Sequence, residues 1–110
     1  ALRRARQTYA ERRATLVRTL APCLKGGPQS GVYVGGAEQG LHLCLRLPDR
    51  VDDQALAQRL GQQGLTVRPL SAYCLHREDL RGLVMGYGYA PLAAIERYGP
   101  MVARAVVAAI

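Results

Sequence analysis

Phenylalanine and tryptophan are absent from the 110 residues, and six scattered tyrosines make up the remaining ring supply. That excludes the stacked aromatic platform on which single-stranded nucleic acid is laid out base by base. Cysteine is scarce as well. Cys23, Cys44 and Cys74 stand 21 and 30 residues apart, so no two make a short-spaced zinc pair, and an odd count suits a reducing compartment better than a disulfide framework. His42 and His76 are the only histidines and have no cysteine or carboxylate at ligand spacing, so no metal site is expected. Neither G-x-x-x-x-G-K-[ST] nor G-x-G-x-x-G occurs, and Gly86-Tyr87-Gly88 is followed by Tyr-Ala-Pro rather than a third glycine. No apolar run approaches the roughly 20 residues that span a bilayer, and no signal peptide opens the chain. The expectation is a soluble, cytoplasmic protein with no membrane partner.

What is present centres on residues 40–48, Gly-Leu-His-Leu-Cys-Leu-Arg-Leu-Pro. Leu41, Leu43, Leu45 and Leu47 alternate with His42, Cys44 and Arg46. A period of two predicts a strand with one covered face, and Pro48, which has no N–H to give a ladder, closes it. The charge is concentrated elsewhere. Residues 1–25 hold six arginines and Lys25 against Glu11, so +6 of the net +7 lies in this stretch, nearly all of it on the first helix. Such a cluster fits either a solvated helix face or a nucleic-acid surface.

Helical spacing over residues 2–24 places Leu2, Ala5, Tyr9, Leu16, Leu20 and Leu24 on one stripe, with Pro22 ending the helix or kinking its last turn. Residues 25–30 form a loop, and Val32, Tyr33 and Val34 a short edge strand. Asp52 is a predicted N-cap, with Val51 and Leu56 placed as a hydrophobic staple and Ala55, Leu56, Leu60 and Gln63 as the buried side of the helix. Gly64 should stop that helix in the left-handed conformation. Residues 65–70 then give a strand and residues 71–81 a loop with a single helical turn. Residues 82–89 give another strand, with Leu83, Met85, Tyr87 and Tyr89 opposite Val84, Gly86 and Gly88. Pro91 should start a last helix that Gly99-Pro100 kinks or splits. This order predicts one α+β domain over residues 1–110, a two-layer sandwich. A small, mainly antiparallel sheet of three or four strands carries helices mainly on one face.

The paired carboxylates offer no catalytic centre. Asp52-Asp53 sits at a helix start, where capping and the macrodipole account for it, and Glu78-Asp79 falls in a polar loop. No self-contained active site emerges, and the chain, opening within a helical pattern without an initiator methionine, is expected to be a fragment.

Four motifs in order carry a family likeness. The first is Leu2-Arg3-Arg4 with Tyr9 and Arg12-Arg13-x-x-Leu16. The second is Glu38-Gln39-Gly40-Leu41-His42 running to Leu47-Pro48. The third is Gly64-Leu-Thr-Val-Arg-Pro69-Leu-Ser71-Ala-Tyr73, and the fourth Gly82-Leu-Val-Met-Gly86-Tyr87. Together they resemble the C-terminal small domain of fold-type-I pyridoxal-phosphate aminotransferases, especially the aminotransferase-like half of MocR-type regulators in the GntR superfamily. Gln39 stands where the family has a glycine and His42 where it has an aromatic residue. Residues 1–24 then match the helix that leads in from the large domain.

The resemblance implies a parent protein that binds pyridoxal phosphate through a large domain this chain lacks. It implies a homodimer that senses an amino-acid-like or cofactor-like effector and reaches DNA through a separate N-terminal domain. Within the chain it implies no catalytic, cofactor-binding or metal residue, since Lys25 does not match the Schiff-base lysine. The family's strand carries an arginine that pairs with the substrate carboxylate, a task suited to a planar guanidinium. Val84 occupies that position, and Arg81 is the nearest substitute. Ser71, Tyr73, Val84 and Gly86 are implied at the active-site rim, on one surface with Arg81 and Gly88 that faces the large domain. Two alternatives stay open: the small domain of a true amino-acid aminotransferase, and a free-standing basic domain that binds nucleic acid.

Overall fold

The computed structural model describes residues 2–35, 42–72, 81–87 and 91–110. The elements are α1 (Leu2–Thr19), α2 (Ala21–Leu24), β1 (Tyr33–Gly35), β2 (His42–Leu47), α3 (Asp53–Gln62), β3 (Val67–Pro69), β4 (Arg81–Gly86) and α4 (Leu92–Ala109). Single 3-10 turns stand at Pro28–Ser30 and Leu70–Ala72. The strands form one antiparallel sheet in the order β1-β2-β4-β3, with the two six-residue strands inside and three-residue strands at both edges. This is the expected α+β two-layer sandwich.

The period-two pattern of β2 is realised residue by residue. Leu43, Leu45 and Leu47 are buried, His42 is exposed, and Cys44 and Arg46 are half-buried. The register sets Leu43 beside Met85 and Leu45 beside Leu83, so the two central strands present one continuous apolar surface. Each fully buried leucine there contributes roughly 1.5–3 kcal/mol of burial. The helices cover that surface. Leu16 from α1, Leu20 between the helices, Cys23 from α2, Leu56 and Leu60 from α3, and Ile95, Val102 and Val106 from α4 join the same core. Leu41 lies outside the described residues, as do Gly88 and Tyr89.

Several boundaries differ from expectation for local reasons. The first helix breaks at Leu20, because Pro22 has no N–H to return to the preceding turn and instead occupies the first turn of α2. Asp52 does cap α3, its Oδ1 accepting from the N–H groups of Gln54 and Ala55 at 3.1 Å each. The buried stripe of α3, however, is Asp53, Leu56, Ala57 and Leu60, while Ala55 and Gln63 are exposed. Gly64 stands at φ 88°, with the Leu65 N–H bonded to the Leu60 carbonyl and the Gly64 N–H to that of Gly61, a Schellman ending. β3 is shorter than predicted because its chain passes directly into the Leu70–Ala72 turn.

α4 runs as one helix through Gly99-Pro100, with Pro91 as its N-cap. Pro100 forfeits one backbone bond, but buried residues on both sides of it hold the helix against α1. Gly99 sits at the crossing itself. A β-carbon there would stand 2.5 Å from the Thr19 Cβ, so only glycine lets the two helices approach this closely. Among the described residues, no helix is long and apolar enough to cross a membrane.

Candidate functional site

The first turn of α3, the Leu70–Ala72 turn and the start of β4 converge on a cleft of about 510 Å³. Asp49, Arg50, Asp52, Gln54, Ser71 and Arg81 line it, so two guanidinium groups and two surface carboxylates face one open space. Its floor is a buried charge. Asp53 is 1% exposed, and it lies on the apolar stripe of α3 rather than in solvent. Its Oδ2 accepts from the Ser71 N–H at 2.9 Å and from the Gly82 N–H at 3.1 Å, while its Oδ1 accepts from the Ser71 hydroxyl at 2.6 Å. Gln54 Nε2 donates to the same hydroxyl oxygen at 3.3 Å. A buried carboxylate is stable only when its oxygens are met by donors, and here both are.

Ser71 and Arg81 are therefore brought together. Val84 and Gly86 are not with them. Arg81 pairs with Leu47 in the register, whereas Val84 pairs with Cys44 and Gly86 with His42. Arg81 is in phase with the covered face and Val84 and Gly86 with the open one, because Arg81 is the first residue of the strand rather than the last of a loop. Gly86 is also five residues along β4 from Arg81, roughly 17 Å at strand rise. Tyr73 lies outside the described residues, together with Cys74, His76, Glu78 and Asp79.

The open face carries Tyr33, His42, Cys44, Arg46, Arg68, Val84 and Gly86 by register. The Arg46 guanidinium lies 5.7 Å from the centre of the Tyr33 ring, and its Nε is buried without a hydrogen-bond partner among the described residues. A second, more apolar cavity of about 250 Å³ opens where β3 and the end of β4 meet α4, lined by Leu65, Val67, Met85, Gly86 and Tyr98 among others. The Tyr98 hydroxyl donates to the Gly86 carbonyl at 3.1 Å, and burial raises its pKa.

Arg12 and Arg13 are half-buried, and Arg18 pairs with Glu96 at 3.5 Å on the surface. Lys25, the chain's only lysine, is exposed at the end of α2 and is not among the cleft residues. The described residues thus offer no amine from which a pyridoxal phosphate aldehyde would be held at this cleft. Among them no group of three metal-ligating side chains comes together either.

Asp53 is the site residue that sequence reasoning missed. The signal was there: Asp53, Leu56, Ala57 and Leu60 follow helical spacing, which places the carboxylate on the apolar stripe.

No family model matches the sequence, and no curated protein matches it. Among solved structures, the crystal structure of a multiple substrate aminotransferase from Thermococcus profundus is similar to it, with a TM-score of 0.71 and 20% identity. The match covers 93% of this chain and 24% of that one, so the chain spans about a quarter of that protein's length. What the two share at this identity is the fold.

Proposed function

We propose that this domain is the C-terminal part of the aminotransferase-like, effector-binding region of a MocR-type regulator of the GntR superfamily, and that it performs no chemistry alone. The observation that carries the reading is the cleft, where Ser71 of the Pro-x-Ser turn and Arg81 meet on a domain folded like a segment of an aminotransferase. Arg81 would pair with the carboxylate of an amino-acid-like effector, and Ser71 would offer its hydroxyl at the rim. Val84 and Gly86 would face a larger domain that holds pyridoxal phosphate, since Val84 leaves the open face without the family's arginine. In the working protein this region would form a homodimer and act on DNA through a separate N-terminal domain.

A true aminotransferase is the second reading, favoured by the activity named for the similar structure. Amino-group transfer by the full-length protein, with added pyridoxal phosphate and a panel of amino acids, separates the two. Binding without turnover, weakened by Arg81→Ala, and sequence-specific DNA binding are expected of the regulator. Sustained turnover that survives Arg81→Ala would sink it.

A further inference from the structure

Asp53 is a buried charged side chain whose partners come from far along the chain. Ser71 is 18 residues away and Gly82 is 29, and they belong to different elements, the Leu70–Ala72 turn and β4. The Gly82 N–H is part of the peptide bond that begins at Arg81. One carboxylate therefore holds Ser71 by two bonds and the peptide beside Arg81 by a third, and these are two walls of the same cleft.

We infer that Asp53 is a positioning residue: it fixes the spacing between Ser71 and the Arg81-Gly82 peptide, so that the polar wall of the cleft is assembled before a ligand arrives. All three partners are donors, and an ionised carboxylate is acceptor-only, which suits it to the task. Preorganisation of this kind removes the cost of ordering the turn and the strand start on binding. The use of the cleft for an effector carboxylate rests on the reading given above; the clamp does not.

The side-chain chemistry grades the substitutions. In Asp53→Asn the remaining oxygen can still accept both backbone N–H groups, but the amide nitrogen then faces the Ser71 oxygen, to which Gln54 already donates. The hydroxyl proton loses its acceptor while the two walls stay pinned. Asp53→Ala releases all three bonds.

Hydrogen exchange on the full-length protein tests this. Asp53→Ala should speed exchange of the Ser71 and Gly82 amides by roughly 10- to 100-fold, the factor carried by a hydrogen bond to a charged acceptor. Asp53→Asn should hold Gly82 near its original rate, and amides in the middle of α1 and α4 should not respond to either change. The proposal is overturned if Gly82 exchange is unaltered in Asp53→Ala, or if α1 and α4 loosen as much as the cleft. Should the alanine variant fail to fold, the asparagine variant decides, and free exchange of Gly82 in it refutes the clamp. Calorimetric titration with L-alanine adds the functional arm. Asp53→Ala should weaken binding, and combining it with Arg81→Ala should cost no more than Arg81→Ala alone, whereas additive losses would count against positioning. If the unmodified protein binds no L-alanine, the effector reading suffers and the clamp is judged on exchange.

Discussion

α4 meets α1 by leaving a side chain out, and α3 meets β4 by putting a charged one in. At the first contact Gly99 lies against Thr19 in the core that Leu16, Leu20, Ile95 and Val102 share, and among the described residues the directional contact between the two helices is the exposed Arg18–Glu96 pair. At the second, Asp53 accepts three hydrogen bonds among the described residues, two of them from backbone N–H groups whose directions the chain fixes. Apolar packing sets how close two elements come, and its strength scales with the area removed from water. A satisfied buried carboxylate adds much less net stability but permits only one arrangement of its partners. The domain uses the first device where it needs bulk stability and the second beside its cleft.

The largest expected effect breaks the packed contact. Leu20→Ala should destabilise the domain by about 2–5 kcal/mol, read as a lower urea midpoint with the cleft unfolding in the same transition. Gly99→Ala comes next, at about 1–3 kcal/mol from overpacking, and Thr19→Gly in the same chain should recover part of the loss. Equal losses with and without Thr19→Gly would deny that the crossing depends on that approach.

Alkaline pH should sharpen the contrast by acting on the packed side. Burial pushes the Cys23 thiol up from 9.0 to about 11, while its bond to the Leu20 carbonyl is made only by the neutral thiol. Above pH 9.0 the unfolded chain releases a proton that the folded chain keeps, so stability must fall as pH rises through that window toward about 11. Tyr98, raised from 10.0 by burial, adds a loss of the same sign. Urea midpoints across the window should fall less steeply in Cys23→Ala. The smallest effect is expected on the open face, where Gly86 is exposed: Gly86→Val should shift stability by no more than about 0.5 kcal/mol while impairing the effector response of the full-length protein.

The same division explains what was legible in the sequence. Alternation in β2 and β4, the Asp52 cap and the Gly64 stop are local signals, and each is where the residues put it. Long-range relations were not legible. Arg81 and Val84 were expected on one surface because nothing local shows that the strand begins at Arg81, which puts the two out of phase. Asp53 was read as a second helix-start carboxylate although its spacing sets it on the apolar stripe; its partners at Ser71 and Gly82, which no spacing shows, become neighbours only in the folded sheet. The uninterrupted α4 likewise depends on α1, whose packing outweighs the break that Gly99-Pro100 encodes.

The lengths of the strands bear on how copies of this domain can meet. Among the described residues both edge strands are three residues long, and β3 ends in Pro69, which has no N–H to offer. An incoming strand would find at most three described residues to pair with on either side, too few to template the addition of further chains. The six-residue strands lie at the centre, each paired with the other along its length and with an edge strand over three residues. The described edge strands therefore offer no long ladder for another chain to extend.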